Sequence, residues 1–321
     1  MSSRLDISLI VKVAKMYYLD GLKQEDIAKQ IGISRSLISM ILTEAKERGI
    51  VEISVRDPSL TDEDLSRKLG TSYPGIDFIV IPTSSRDPDA LRKLVAQRAA
   101  DLLCRIVREG QVVGLAWGRT CLELVNACDG PLAVKDFSVV PLIGGSAQRA
   151  PYFQINEMVR ILAEKCGGSP FFIHAPALVS GRDERDMYLN SSSLQAIREK
   201  WGRMDILVTG IGALPNPKPL DRENYIGEHE IYQQLVAKHA VGDICARYFD
   251  AAGRFIVDDL SERVVGIPIE DLRTAKSAIC MASCADKVEA IIGALRTGVV
   301  QTLVIDEPTA RTVLAAFAPH A

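Results

Sequence analysis

The segment that most constrains this chain lies at residues 22–55, where the residue spacing is that of a helix-turn-helix. Gly32 lets the backbone bend sharply after a first helix, and Ile33 fills the angle between the two helices. Ser34 then begins a second helix, because its hydroxyl can accept a hydrogen bond from an unpaired amide of the first turn. This pattern predicts a unit that binds duplex DNA. The apolar face of the first helix consists of Ile27, Ala28 and Ile31.

The second predicted helix has two distinct faces. Its polar face, which also carries Met40, would lie in the major groove with its amino-terminal part against the base edges. Lys23 and Gln24, at the start of the preceding helix, suit contacts with phosphates. The inward-facing residues are Leu37, Ile38, Ile41 and Leu42. The candidate DNA-binding residues are Lys23, Gln24, Ser34, Arg35, Ser36, Ser39 and Thr43, with Arg35, Ser36 and Ser39 as the base readers.

Two flanking segments complete this unit. Residues 7–19 have apolar side chains at helical spacing and predict a helix that packs under the other two. Residues 51–55 alternate apolar and polar side chains, which is typical of a wing strand. The alternative is a helical hairpin used only for packing, but Gly32, the Ser34 cap and the exposed polar face together favour DNA binding.

The predicted DNA-binding unit is only weakly basic. The first 56 residues contain nine Lys or Arg and seven Asp or Glu, which gives a net charge of +2, whereas the whole chain has −3. One such unit should bind DNA weakly, because affinity grows with the number of phosphates that are neutralised. We therefore expect a homo-oligomer, a dimer or a tetramer, that places several units on a repeated operator.

The length of the chain predicts two domains, a small one at residues 1–56 and a larger one at residues 57–321. Apolar residues make up 47% of the chain, which suffices for a buried core. No run of about 18 apolar residues occurs, and the amino terminus lacks the pattern of a secretory signal. We therefore expect a cytoplasmic protein without a membrane partner.

The cysteines indicate a reduced protein. Their number is odd and they lie in apolar segments, which predicts free core thiols rather than a disulfide framework. Cys280 and Cys284 are four residues apart, but without a nearby His or a second Cys pair they indicate a metal only weakly. We expect neither a metal nor a cofactor. The seven are Cys104, Cys121, Cys128, Cys166, Cys245, Cys280 and Cys284.

The larger domain begins with a predicted helix at residues 61–69, which Gly70, Pro74 and Gly75 would end. Buried strands then alternate with amphipathic helices, which predicts an α/β fold with a doubly wound, mostly parallel sheet. The predicted strands are 78–81, 112–116, 137–143, 171–174, 206–208, 254–257, 278–281 and 302–305. The predicted helices include 89–108, 155–165 and 287–297.

Ligands of such sheets bind beyond the carboxyl ends of the strands, and three glycine-containing loops follow predicted strands. In the first loop Gly118, Arg119 and Thr120 would begin a helix whose amides, with a guanidinium and a hydroxyl beside them, suit a phosphate. Trp117 could stack on a ligand, although a place in the core is the simpler interpretation. Together the loops predict a small-molecule site. The other loops contain Gly144 and Gly145, and Gly210 and Gly212.

Two charged residues complete the candidate site. Asp243 could hold the hydroxyls of a sugar, and Lys287 could bind a phosphate. The alternatives are that Asp243 caps a helix and that Lys287 is a solvated residue of a first helical turn.

Together these motifs resemble the SorC family of bacterial sugar-binding transcriptional regulators, over nearly the whole chain. The matching motifs are Tyr17-Tyr18, Gln24, Ile27-Ala28, Ser34-Arg35, residues 117–120, Ala175-Pro176-Ala177, Gly210 and Gly212, residues 240–243 and residues 287–306.

The resemblance implies an effector domain similar in fold to glucosamine-phosphate deaminase and ribose-phosphate isomerase, with a phosphorylated sugar or polyol as the inducer. It implies a tetramer or a dimer of dimers on a palindromic operator. It places Gly118, Arg119 and Thr120 in a phosphate loop, Asp243 at the hydroxyls and Lys287 at the anionic end.

The chain differs from this family at four positions. Met40 stands where an arginine is frequent in the recognition helix, so the base preference of the family is not carried over. His239 stands where glycine is usual, and Ser283 and Cys284 replace a more glycine-rich approach to Lys287. These differences predict a narrower or differently polar pocket.

The resulting hypothesis is a transcriptional regulator of a carbohydrate or polyol operon whose operator affinity changes when a phosphorylated effector binds. An alternative is a sugar-phosphate isomerase or deaminase with an added DNA-binding unit, which would need a placed acid and base. No catalytic motif surrounds the four histidines, His174, His229, His239 and His320, so we expect no enzyme activity. A purely structural DNA-bridging protein would leave the glycine loops unexplained.

Overall fold

The structure is a computed structural model that describes residues 6–51, 61–130, 134, 136–146, 149–214 and 229–317, without the side chains of residues 229 and 230. The chain divides into two units, Met1–Asp57 and Pro58–Ala321, each with its own hydrophobic core. In the described part of the chain, no helix combines the length and the hydropathy that crossing a bilayer requires.

The described residues 6–51 of the amino-terminal unit form three helices, α1 (Ile7–Tyr18), α2 (Gln24–Ile31) and α3 (Arg35–Glu47). Gly32 ends α2 in the left-handed conformation with φ +77°, which glycine adopts without steric cost. The Ser34 hydroxyl caps α3 by accepting a hydrogen bond from the Leu37 amide at 3.2 Å. The helix-turn-helix prediction is therefore confirmed in its helices, its turn and its cap. The predicted wing strand at 51–55 lies, apart from Val51, outside the described residues.

The larger unit is built on a seven-stranded sheet, every pair of which is parallel. Its strand order is β1-β10-β9-β5-β2-β3-β4, which confirms the predicted doubly wound α/β fold. A smaller antiparallel sheet has the order β6-β7-β8. The strands are β1 (Asp77–Ile81), β2 (Val112–Leu115), β3 (Ser138–Pro141), β4 (Ser169–Pro170), β5 (Ile206–Gly210), β6 (Gly212–Ala213), β7 (Ala240–Ile244), β8 (Arg247–Asp250), β9 (Ser277–Ala282) and β10 (Thr302–Asp306).

Helices connect these strands. Leu207 and Val208 of the central strand β5 are completely buried, as strands covered on both faces must be. The helices are α4 (Glu63–Ser72), α5 (Pro88–Ile106), α6 (Arg119–Ala127), α7 (Ile155–Cys166), α8 (Arg182–Leu189), α9 (Ser192–Trp201), α10 (His229–Ala237), α11 (Ile269–Thr274), α12 (Val288–Leu295) and α13 (Glu307–Phe317).

The order in which the chain adds strands to the sheet reverses between the neighbouring strands β2 and β5. From β2 the chain continues to β3 on one side, whereas from β5 it continues to β9 on the other side. Such a reversal opens a crevice at the carboxyl ends of the two strands, where ligands of doubly wound sheets bind. The loops that contain Gly118 and Gly210 border this crevice.

The predicted strand at 171–174 is wrong, since the strand in this region is the two-residue β4. The Asn156 side chain explains the difference, because it forms hydrogen bonds with both the backbone amide and the backbone carbonyl of Ile173. Its amide nitrogen donates to the Ile173 carbonyl at 2.9 Å, and its oxygen accepts from the Ile173 amide at 3.0 Å. A side chain of α7 thus takes the place of a neighbouring strand.

The predicted helix at 61–69 has different ends in the structure. Asp62 is its cap, with Oδ1 accepting from the Leu65 amide at 2.9 Å. Gly70 does not end the helix, which continues to Ser72 because α4 packs against β1 and α13 through its buried side chains. Tertiary packing has outweighed the low helix propensity of glycine here.

The predicted strand at 254–257 is also wrong, since this segment forms an isolated bridge between Phe249 and Phe255. The strands β7 and β8, which were not predicted, form a hairpin with a two-residue turn at Cys245 and Ala246. Both residues have positive φ, +53° and +57°, as a type I′ turn requires. Asn and Gly normally occupy such turns, so Cys-Ala gave no signal of one.

Gly144 and Gly145 follow β3 but bond to protein backbone. The Gly144 amide donates to the carbonyl of Val265 at 2.9 Å, and the Gly145 amide donates to that of Ala175 at 2.8 Å. Gly144 needs to be glycine, because a Cβ there would lie 2.5 Å from the Pro176 carbonyl oxygen and 2.7 Å from that of Ala175. Their amides therefore hold two neighbouring segments together.

Replacing Gly144 with alanine should destabilise the protein, since the added methyl group would collide with backbone that cannot rotate away. We expect Gly144→Ala to lower the free energy of unfolding by about 1–3 kcal/mol in urea denaturation. Gly145→Ala is the matched control, because its Cβ would lie 3.9 Å from the nearest atom, the Ala175 carbonyl oxygen. Equal stabilities of the two variants would contradict this account.

Candidate DNA-binding surface and effector site

The predicted base-reading residues lie on the outer face of α3. Arg35, Ser36 and Ser39 are exposed, and Met40 is 56% exposed. Ser34 is also exposed, but its hydroxyl is used as the helix cap and lies 2.9 Å from that of Ser36. The face thus presents one guanidinium, hydroxyl groups and an apolar thioether.

Three further predicted residues surround this face. The Thr43 hydroxyl donates to the Ser39 carbonyl at 3.1 Å, so its methyl group is the part left for a base contact. Lys23 is exposed and Gln24 half-buried at the amino terminus of α2, where helix amides suit a phosphate. These assignments remain predictions about DNA contacts.

Arg35 has a partner that the sequence did not indicate. Its Nη1 lies 3.6 Å from Oε1 of Glu25 on α2, and both side chains are about two-thirds exposed. An exposed ion pair of this kind is weak. Arg35 can therefore exchange Glu25 for a base edge at little cost, while Glu25 adds negative charge to a surface that must approach phosphates.

Most of the predicted effector residues lie at or beyond the carboxyl ends of three adjacent strands, β9, β5 and β2, whereas Gly144 and Gly145 follow β3 and Asp243 lies in β7. The loop after β2 leads into α6, whose amino-terminal cap is Gly118 with φ +117°. Gly118 offers no side-chain acceptor to the amides of the first turn. The helix thus begins where the sequence predicted, and the binding of an anion at its amino terminus stays a prediction.

The second loop lies beside the first. A Cβ on Gly210 would be 3.9 Å from the Cβ of Thr120, and the Gly210 amide forms a hydrogen bond with the Cys121 sulfur. The carbonyl of Ile211 accepts a hydrogen bond from Lys287 Nζ at 3.4 Å. Residues from three loops thus meet around this short segment.

Lys287 is half-buried rather than solvated, so the alternative considered for it is wrong. Burial lowers the pKa of its ammonium, and the positive charges of Arg119 and Arg92 act in the same direction, whereas Cys284 and Asp286 oppose them. No carboxylate of the described residues lies within 4.0 Å of it. An anion in this position would offset the unfavourable burial of the charge.

Asp243 lies in β7 and caps no helix, so the alternative considered for it is also wrong. Its Oδ2 accepts from the Ala246 amide at 3.0 Å, which holds the strained turn between β7 and β8. Gly212 of β6 is the residue paired with Asp243 across the two strands. The carboxylate packs directly against this glycine, because any side chain at position 212 would collide with it. Oδ1 accepts no hydrogen bond from the described residues and faces this glycine.

Two residues of this region were missed by sequence reasoning. Arg92, in the first turns of α5, contributes positive charge beside Lys287. Asp306 is completely buried at the end of β10, and its Oδ2 accepts from the Cys284 amide at 3.3 Å. It thereby positions the turn that carries Lys287. Arg92 lies in an ordinary helix and Asp306 in a strand, so neither formed a recognisable motif.

Other predictions concern residues at the edge of this region. Trp117 is buried and packs edge-on against Phe153 with ring centroids 5.3 Å apart, so it belongs to the core. Cys280 is fully buried, and within the described residues Cys280 and Cys284 join no cluster of three metal-ligating side chains. His174 and His239 are exposed.

Known proteins are similar to this chain over nearly its whole length. Residues 57–315 match the Sugar-bind family, a sugar-binding domain. The sorbitol operon regulator of Klebsiella pneumoniae is 28% identical over 315 residues, which cover 98% of this chain and 100% of that protein. The deoxyribonucleoside regulator of Bacillus subtilis strain 168 is 30% identical over 306 residues, covering 95% of this chain and 97% of that protein.

A solved structure agrees with these relatives. The crystal structure of the full-length sorbitol operon regulator SorC from Klebsiella pneumoniae superposes with a TM-score of 0.74, at 27% identity and with 97% and 100% of the two chains covered.

The chain belongs to the SorC family of sugar-binding transcriptional regulators. The predicted family, fold and regulatory function are thereby confirmed. The relatives are named regulators, so the enzyme alternative has no support from them. Two of the four differences from the SorC family replace glycine with a residue of positive φ, since His239 has φ +56° and Cys284 has φ +79°. This conformation strains a non-glycine residue, whereas glycine adopts it freely.

The position of Arg35 leads to a prediction for DNA binding. Arg35→Ala should weaken operator binding by about 1–3 kcal/mol relative to random DNA, because a bidentate base contact would be lost. Glu25→Gln should tighten binding to both DNAs by about 0.2–1 kcal/mol, since it frees Arg35 and removes a charge. Fluorescence anisotropy would measure both effects, with the exposed Glu47→Gln as the charge-matched control. Unchanged discrimination by Arg35→Ala would remove Arg35 from the base readers.

Asp243 leads to a prediction for pH dependence. Burial raises the pKa of its carboxyl to about 6, although the Ala246 amide and the Lys287 charge oppose this. The pKa of this carboxyl is higher in the folded protein than in the unfolded chain, where it is about 4. The raised pKa therefore contributes its full stabilisation of the folded state below about pH 4. This stabilisation is lost as the pH rises through about 6.

Asp243→Asn keeps an acceptor for the Ala246 amide but has no proton to release. Between about pH 4 and 6 the wild type should therefore lose more stability than this variant as the pH rises. Urea midpoints measured across this range would test the difference, and parallel pH profiles of the two proteins would contradict it.

Proposed function

We propose that a phosphorylated sugar or polyol binds at the carboxyl edge of the parallel sheet and changes the affinity of the helix-turn-helix unit for operator DNA. The observation that carries this proposal is the half-buried Lys287 ammonium, which forms no ion pair with a carboxylate of the described residues. It lies close to Arg119 at the amino terminus of α6. A phosphate is the anion whose charge and number of acceptors suit two cations and a helix terminus.

The other end of the site supports a polyhydroxylated ligand. Asp243 Oδ1 is a carboxylate oxygen without a described partner, and a carboxylate accepts hydrogen bonds from sugar hydroxyls. The Thr120 side chain lies beside Gly210, since a Cβ on that glycine would be 3.9 Å from the Thr120 Cβ. The relatives support this chemistry, since their names concern sorbitol and deoxyribonucleosides.

The coupling to DNA requires more than one arrangement of subunits. An effector can shift an equilibrium only if it binds one arrangement more tightly than another. We propose that the protein acts as a dimer or tetramer in the cytoplasm, because the charge of +2 at residues 1–56 is low for a single DNA-binding unit. We also propose that it binds the effector without converting it.

A thermal-shift screen of sugar and polyol phosphates, each against its unphosphorylated form, would identify the effector class, because a ligand that binds the native state stabilises it. Each phosphorylated compound that raises the melting temperature would then be tested for release or retention of labelled operator. Steady conversion of such a compound would overturn the regulatory proposal in favour of an enzyme. Stabilisation by unphosphorylated sugars alone would overturn the phosphate assignment.

Lys287→Met should weaken binding of the effector found in that screen by about 1.5–3 kcal/mol, roughly 10- to 150-fold, through loss of a charge-assisted hydrogen bond. DNA binding without effector should be unchanged. The matched control is Lys93→Met, which removes the same charge from an exposed position on α5. Isothermal titration would measure affinity, and equal values for the two variants would place the anion elsewhere.

A further inference from the structure

The carboxyl-terminal ends of α5, α6 and α7 bring three cysteines together, away from the amino terminus of α6 where the effector site lies. Cys104 is in the last turn of α5, Cys128 directly follows α6, and Cys166 is the last residue of α7. Their sulfur atoms all lie within 4.8 Å of one another. No other function described above uses them.

The burial of the three thiols suits a bound ion. Cys128 and Cys166 are 1% and 2% exposed, whereas Cys104 is half-buried. Two of the sulfur-bearing side chains are thus closed off from solvent, and the third is accessible to it. Three thiolates that hold one ion with metal–sulfur bonds of about 2.3 Å would be about 4 Å apart, so the sulfur atoms need to move little.

The electrostatics of this cluster favour a cation over free thiolates. Each cysteine lies at the carboxyl end of a helix, where the backbone dipoles place partial negative charge. Hydrogen bonds from the Cys128 and Cys166 thiols lower the pKa of Cys104. The same interaction with Cys104 raises the pKa of Cys128, and it raises that of Cys166 to about 11. A metal ion that binds here would displace the thiol protons.

We infer that Cys104, Cys128 and Cys166 form a three-thiolate site for a thiophilic divalent metal ion, of which Zn²⁺ is the common member. Thiolates select such ions over Mg²⁺ and Ca²⁺, which prefer oxygen. A divalent ion leaves a single negative charge on the cluster. Lys165 would offset this charge, since it lies near Cys166 and donates to the carbonyls of Val125 and Asn126 at the end of α6. The fourth position, on the side of Cys104, would take water.

Binding can be tested on the full-length, reduced and chelator-treated protein. Co²⁺ is a spectroscopic substitute for Zn²⁺ and should give thiolate-to-metal charge-transfer bands with one ion per chain. Zn²⁺ should then displace it and raise the melting temperature. Binding should weaken as the pH falls, because protons compete for the sulfur atoms.

The matched variants are Cys104→Ser and Cys166→Ala, which should lose the charge-transfer bands, and Cys280→Ala, which removes a fully buried thiol outside the cluster and should keep them. Alkylation of the wild type gives a second readout that needs no variant, since Zn²⁺ should protect the half-buried Cys104 from iodoacetamide. Absence of charge-transfer bands, bands that survive in Cys104→Ser, or unchanged alkylation of Cys104 with Zn²⁺ would each overturn the inference. A disulfide between two of the three cysteines that persists after treatment with a thiol reductant would do so too.

Discussion

The parallel pairing of seven strands is the constraint on which the rest of the larger unit depends. Parallel strands must all be connected by crossovers, so their carboxyl ends lie at one edge and the loops that follow them share that edge. Residues that are more than 150 positions apart, such as Arg119 and Lys287, become neighbours for this reason. The reversal between β2 and β5 then opens the crevice between their loops.

Helix α6 connects the two sites that we propose. Its amino terminus, capped by Gly118, carries partial positive charge and faces the predicted anion site. Its carboxyl end, at Cys128, carries partial negative charge and faces the proposed metal site. With nine residues the helix is about 13 Å long, so both ligands would bind the ends of one short, rigid element.

Buried or half-buried carboxylates hold the unusual backbone of the effector region. Asp243 accepts from the amide of Ala246, which has φ +57°, and Asp306 accepts from the amide of Cys284, which has φ +79°. Non-glycine residues in this conformation are strained, and each hydrogen bond offsets part of the cost. These carboxylates therefore position the loops even where they do not contact a ligand.

The sequence by itself determined those structural elements that depend only on residues close together in the chain. The turn at Gly32 and the cap at Ser34 depend on neighbouring residues, as do the periodic apolar residues of α5 and α7, and all of these were predicted. The alternation of strands and helices predicted the doubly wound sheet, and the loops after its strands predicted the candidate effector residues. The family resemblance, carried by motifs such as residues 117–120, added the phosphorylated effector and the regulatory function.

Only the tertiary structure decided features whose cause lies far along the chain. Asn156 ended a predicted strand at Ile173, and Asp243 supported a turn of Cys245 and Ala246 that has no sequence signature. The charge of Arg92 beside Lys287 arises from the packing of α5, and the three thiols meet because their helices end together. Periodicity reports which face of an element is buried, but it carries no information about which distant residue covers that face.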